Sequence, residues 1–106
     1  PDAIRNHPAL AGLDIPRTGQ RGPVGALVTK TLVVMGDPLS TTGPDRPRGA
    51  MLRAYDKTTG QERGAVPIPS AQTGSPMTYM LDGKQYLVLA VGGSNYQGEL
   101  IAFALP

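Results

Sequence analysis

Leu32-Val33-Val34-Met35-Gly36 and Leu87-Val88-Leu89-Ala90-Val91-Gly92 lie within the two longest apolar runs of the chain, and each is followed by a loop and a shorter run. The followers are Leu52-Arg53-Ala54-Tyr55 and Leu100-Ile101-Ala102-Phe103, so the chain contains an imperfect internal repeat. The runs are rich in β-branched and aliphatic residues and too short for a helix, which marks them as strands. Met51 to Asp56 alternates, with Leu52 and Ala54 on one face and Arg53 and Tyr55 on the other. Lys84 to Val91 is apolar on both faces, the pattern of a central, covered strand.

Working outward, Gly25 to Lys30 and Thr31 to Met35 are predicted as strands, and Leu39 to Gly49 as a Pro- and Gly-rich loop. Lys57-Thr58-Thr59-Gly60 reads as a hairpin turn, with Asp56 as a turn residue. Gln61 to Ile68 is the return strand. Pro67 and Pro69 place it at a sheet edge, because proline has no N–H to give the ladder. Pro76 to Leu81 is the next strand, Asp82-Gly83 a tight turn, and Glu99 to Leu105 the last strand after a Gly-rich loop.

Ala54 and Ala102 stand about 48 residues apart, within the ~40–50 residues of a propeller blade. The expected fold is therefore all-β: about two four-stranded antiparallel blades of a β-propeller, the second lacking its last strand. Residues 1–23 form an extended arm or linker, 24–69 a four-stranded blade, and 70–106 a three-stranded blade. A seven-stranded sandwich or barrel accommodates the same strand count. Two blades alone expose apolar faces and an unpaired edge, which favours association with further blades or with another copy.

Composition narrows the function classes. The 106 residues include 14 Gly and 11 Pro, no Cys, no Trp and one His, with a net charge of +2. Disulfides, thiolate nucleophiles and Cys-based zinc sites are excluded. The basic residues do not cluster, so no nucleic-acid partner is expected. No apolar run approaches the roughly 20 residues needed to cross a bilayer as a helix. The sequence opens at Pro1 rather than Met, from which an earlier segment is expected. His7, beside Pro8, reads as an exposed loop imidazole, and Arg46 and Arg48 as loop charges able to meet an anionic partner.

Ala54-Tyr55-Asp56-Lys57-Thr58-Thr59-Gly60-Gln61-Glu62 resembles the blade motif Ala-x-Asp-x-x-Thr-Gly-Lys-x-x-Trp of quinoprotein dehydrogenases. Gln72 to Tyr79, Asp82 to Tyr86, and Gly92-Gly93 resemble the segment that follows it. Asn6 to Leu10 and Leu100 to Pro106 are similar to the membrane-associated glucose dehydrogenase branch. The chain departs from the motif where Gly64 replaces the docking Trp and Gln61 the usual Lys. That Trp would bury a large ring between blades, so its loss weakens the contact.

The resemblance implies a dehydrogenase using pyrroloquinoline quinone (PQQ) and Ca²⁺, oxidising a sugar or alcohol in the periplasm and passing electrons to ubiquinone. It places neither the general base nor any Ca²⁺ ligand on this sequence, so no catalytic or metal residue is expected here and the chain is expected to be inactive alone. Two loops are the candidate cofactor site: Thr73-Gly74-Ser75 and Gly92-Gly93-Ser94-Asn95. Glycines allow close approach to a planar group, and hydroxyl and amide groups can meet its carboxylates. Some relatives carry a histidine after the paired glycines, where Ser94 stands here. A non-catalytic β-repeat that binds a protein or forms a scaffold is the competing expectation.

Overall fold

The computed structural model describes residues 2–15, 21–43, 46–93 and 95–106. Eight strands follow two short helical turns: β1 (Leu27–Val28), β2 (Leu32–Gly36), β3 (Thr41–Gly43), β4 (Arg46–Asp56), β5 (Glu62–Ile68), β6 (Gln72–Leu81), β7 (Lys84–Gly93) and β8 (Tyr96–Ala104). All strand pairings are antiparallel. β1, β2, β4 and β5 form one four-stranded meander, with β3 added beside the first half of β4. β6, β7 and β8 form a second sheet, with β7 at its centre. The all-β, blade-like expectation holds, and β5, with its two prolines at the end, is an edge strand as the sequence required.

The turns follow from local chemistry. Asp56 Oδ1 accepts the N–H groups of Thr58 at 2.9 Å and Thr59 at 3.0 Å, and Gly60 takes φ +75° to complete the reversal. Those backbone hydrogen bonds, with Arg63 nearby, hold the Asp56 carboxyl below its ordinary pKa of 3.8. Asp82 and Gly83 both adopt positive φ, +50° and +77°, in the two-residue loop between β6 and β7. Such turns match the twist of the strands they join.

Three expectations are corrected. Leu39 to Gly49 is not all loop, because β3 pairs with the start of β4 through Thr41↔Gly49 and Gly43↔Arg46. Pro47 and Arg48 lie opposite the single residue Thr42, so a bulge absorbs the proline that made the stretch read as irregular. Thr73-Gly74-Ser75 is not a loop between blades but a bulge inside β6, with Gly74 at φ +69°. Gly92 and Gly93 belong to β7, and Gly93 already pairs with Tyr96, so the turn between β7 and β8 is much shorter than expected. At the N-terminus, Asp2–Arg5 is one helical turn and Pro8–Leu10 a 3₁₀ turn. His7 is exposed, and its Nδ1 accepts the Ala9 N–H.

The register explains how the repeats stack. Val34 pairs with Ala54 in the first sheet and Val88 with Ala102 in the second, so these pairs are equivalent. In the first sheet the Val34 and Ala54 face is the one turned into the core. In the second sheet the buried face is one residue out of step, with Leu89 and Val91 facing inward and Leu87, Ile101 and Phe103 beside them. The front of one sheet therefore packs on the back of the next, as consecutive propeller blades must. The front of the second sheet carries Met77, Tyr79, Leu81 and Leu100, all exposed, the last at 75%. Tyr79 and Tyr86 stack there with ring centroids 5.3 Å apart.

The link between the sheets is polar and buried. Gln72 is 2% exposed, and its Oε1 accepts the Gly36 N–H while its Nε2 donates to the carbonyls of Gly25 and Gly74, both at 2.8 Å. A Cβ on Gly36 would lie 2.9 Å from the Gln72 Cβ, so the close approach requires glycine. The Ser70 hydroxyl donates to the Gly92 carbonyl, and the Gly92 N–H donates to the Ala71 carbonyl. Asp37 accepts from the Met51 and Gln72 N–H groups and pairs with the Arg53 guanidinium, joining the same seam to β4.

Replacing Gln72 with Leu strands the buried Gly36 N–H and the part-buried carbonyl bonds of Gly25 and Gly74 in this seam. Urea unfolding of the Gln72→Leu chain is expected to show a loss of about 3 kcal/mol. An unchanged midpoint would contradict the role assigned to the amide. The reverse effect is expected at Gly64, where an added Cβ meets nothing within 4 Å. Relief of glycine's backbone entropy should make Gly64→Ala more stable by about 0.5–1 kcal/mol in the same assay.

Candidate functional site

The ends of the strands where the two sheets part enclose a cleft of about 580 Å³. That volume lies within the range of small-molecule and cofactor pockets. Its walls come from the segment before β1, the β2–β3 connection, β4, the Ser70–Gln72 link and the facing ends of β6, β7 and β8. Gly74, Gly92 and Gly93 supply stretches of wall without side chains, so a flat ligand can approach the backbone there.

Five of the seven sequence-predicted residues meet at this cleft: Thr73, Gly74, Gly92, Gly93 and Asn95. They come from the β6 bulge and the β7–β8 turn, which the second sheet holds side by side through β6–β7 pairing. Ser75 does not line it. Its side chain occupies the space beside Gly25, where a Cβ would lie 1.7 Å from the Ser75 hydroxyl. Ser94 lies outside the described residues.

The cleft also takes in residues outside that set, among them Arg48, which the sequence marked as able to meet an anionic partner. Arg48 reaches it from β4, and Ser40 from the β2–β3 connection. Ser70 and Gln72 form part of its floor, but their polar groups are already engaged in the seam. Tyr96 stands at the rim, where its hydroxyl donates to the Glu99 carboxylate at 2.5 Å. Among the described residues no group of three or more His, Asp or Glu side chains can hold a metal ion.

That geometry has a counterpart in sequence comparison. Residues 2–87 match the family described as "PQQ: Glucose/ethanol/alcohol dehydrogenase, beta-propeller domain". The chain belongs to this family. It is 36% identical over 81 residues to the quinoprotein glucose dehydrogenase of Gluconobacter oxydans, covering 68% of the chain and 10% of that protein. It is 34% identical over 82 residues to the quinoprotein glucose dehydrogenase of Escherichia coli, covering 69% and 10%. With the quinate/shikimate dehydrogenase (quinone) of Acinetobacter baylyi it shares 29% over 99 residues, 84% of the chain and 12% of that protein. The chain thus spans about a tenth of the length of these curated relatives. No solved structure matches it. The residues matched to the family include the Asp56 turn, Gln72 with its three glycine partners and the β6 bulge, whereas Gly92, Gly93, Asn95 and Tyr96 lie beyond the match.

The Tyr96–Glu99 pair gives the rim a titration signature. Donation of the phenol proton to Glu99, then burial, then the carboxylate's charge raise the Tyr96 pKa above its ordinary 10.0. Folding therefore favours the neutral phenol, and the pair's contribution is present below pH 10 and lost as pH rises through the raised value. Ultraviolet titration should show one late phenolate that moves to lower pH in Glu99→Gln. A phenolate curve identical in the two proteins would remove the pair.

Proposed function

We propose that the chain is the C-terminal propeller segment of a PQQ-dependent dehydrogenase that oxidises a sugar such as glucose, or an alcohol, and delivers electrons to a quinone. Residues 24–69 and 70–106 form its consecutive blades, with 1–23 as a flanking arm. The observation that carries this reading is the coincidence of the family match with a glycine-walled cleft where the predicted cofactor residues converge. Two glucose dehydrogenase relatives support the sugar, and the name of the quinate/shikimate relative supports the quinone acceptor. Membership of this family and its glucose dehydrogenase relatives also motivate a periplasmic, membrane-associated location. No helix among the described residues is long and apolar enough to cross a membrane.

The cleft residues fit PQQ, a flat tricarboxylate. Gly74, Gly92 and Gly93 give a planar group close contact, while the Thr73 hydroxyl, the Asn95 amide and the backbone at the β6 bulge offer polar partners. When bound, PQQ supplies the two-electron acceptor chemistry that no side chain can. The protein's task here is to orient and shield: the seam fixes Gly74 and Gly92 relative to each other, and Tyr96 closes part of the rim. Among the described residues no three His, Asp or Glu side chains group together as a metal site. We assign the Ca²⁺ ligands and the general base to other blades, which makes the isolated chain inactive.

The exposed front of the second sheet is the surface we assign to the next blade. A scaffold that assembles through the same face is the second reading, motivated by Met77, Tyr79, Leu81 and Leu100. The test compares the isolated chain with the full-length polypeptide that carries it. The full-length protein is expected to reduce a quinone acceptor only when PQQ and a sugar or alcohol are supplied, and the isolated chain to show no turnover. Turnover by the isolated chain would overturn its inactivity. A full-length protein without PQQ-dependent turnover, whose isolated segment assembles in light scattering, would favour the scaffold.

A further inference from the structure

Arg48 is the one charged side chain among the described residues that line the cleft. Its position follows from strand alternation. Along β4, Ala54, Leu52 and Ala50 form the row turned toward the second sheet, because every second residue shares a face. Arg48 is the next position in that row, past the end of the core, at the bulge where the start of β4 pairs with β3. The equivalent connection in the second sheet, between β7 and β8, has no such hairpin.

The remaining polar groups share one preference. Gln72, Ser70 and the Tyr96 hydroxyl are committed to partners within the protein. Arg48, Ser40, Thr73 and Asn95 make no hydrogen bond or ion pair with other described residues. They supply a guanidinium, two hydroxyls and an amide, and among the described residues no carboxylate lines the cleft. A guanidinium presents paired N–H donors that match the geometry of a carboxylate.

We propose that the cleft takes its ligand through a carboxylate and that Arg48 determines this specificity. Two sources of that group follow from the dehydrogenase reading, on which only their identity rests. One is PQQ. The other is a hydroxylated carboxylic acid as substrate, the class to which quinate belongs, rather than a neutral sugar.

The experiment uses the full-length polypeptide carrying this chain, in native, Arg48→Gln and Arg48→Lys forms, titrated calorimetrically with PQQ, quinate and glucose. Thermal unfolding checks that the exposed substitution leaves the fold intact. Loss of a desolvated charge-assisted pair should weaken carboxylate binding by about tenfold in Arg48→Gln. Arg48→Lys should recover part of the loss, the interaction should weaken with added salt, and glucose binding should not change. A loss confined to PQQ identifies the cofactor as the source, and one confined to quinate identifies the substrate.

Equal carboxylate affinity in native and Arg48→Gln proteins overturns the inference, as does a native protein that binds neither carboxylate. Equal weakening of glucose overturns it too, since the effect would then be general distortion. The dehydrogenase reading fails separately. Arg48-dependent carboxylate binding without PQQ-dependent turnover removes the enzyme and leaves this site. Normal turnover with Arg48-indifferent binding does the reverse.

Discussion

The side-chain amide of Gln72 is the contact on which the two sheets depend. A buried amide needs partners for both its oxygen and its nitrogen, and here three separate backbone segments supply them. The result is directional, unlike apolar packing. Val34, Leu52, Leu89 and Val91 bring the sheets together but tolerate sliding, whereas the amide fixes Gly25, Gly36 and Gly74 at set distances. The close approach of Gly36 to Gln72 and of Gly25 to Ser75 is the steric counterpart of that bonding. The cleft inherits its shape from this seam, since Gly74 is both a partner of Gln72 and part of the cleft wall.

The core between the sheets is small: Val34, Ala50, Leu52, Ile68, Leu89 and Val91 are its fully buried members. Burial of a Val or Leu contributes about 1.5–3 kcal/mol, which must offset the ordering of a Gly-rich chain. Stability here is therefore shared between apolar area and the polar seam. The out-of-step burial of the two sheets adds a second demand, because it leaves the front of the last sheet with apolar side chains and nothing against them. A stacked architecture puts that face to use only when another layer covers it.

Much of this was legible in the sequence. The alternation of Leu52, Arg53, Ala54 and Tyr55, the unbroken apolar run of β7 and the turn chemistry of Asp56 and Asp82 each required one structure, and each is found. What escaped were two bulged stretches, the pairing of β3 with the start of β4 and the first part of β6. Pro47 near Thr41 and Thr42, and Gly74 within β6, carry local signals for loops, while the ladder on either side continues. Tertiary pairing overrode those signals. Of the candidate cofactor residues, Thr73, Gly74, Gly92, Gly93 and Asn95 line the cleft, the Ser75 hydroxyl turns to Gly25, and Ser94 lies outside the described residues. Arg48 was legible, with Arg46, as a loop charge able to meet an anionic partner, but its place in the cleft follows from a strand that the prolines concealed.

The β3–β4 hairpin has a consequence for how such a protein changes over time. It is attached at the end of a ladder whose register is set elsewhere, by Val34↔Ala54 and its neighbours. Residues can be added to or removed from its tip without shifting a single pair of that ladder. Loop length costs little, since closure entropy grows only slowly with added residues. The part of the wall that carries Arg48 can thus vary while the glycine-lined wall of the second sheet stays as it is, so ligand preference and fold are free to diversify at different rates.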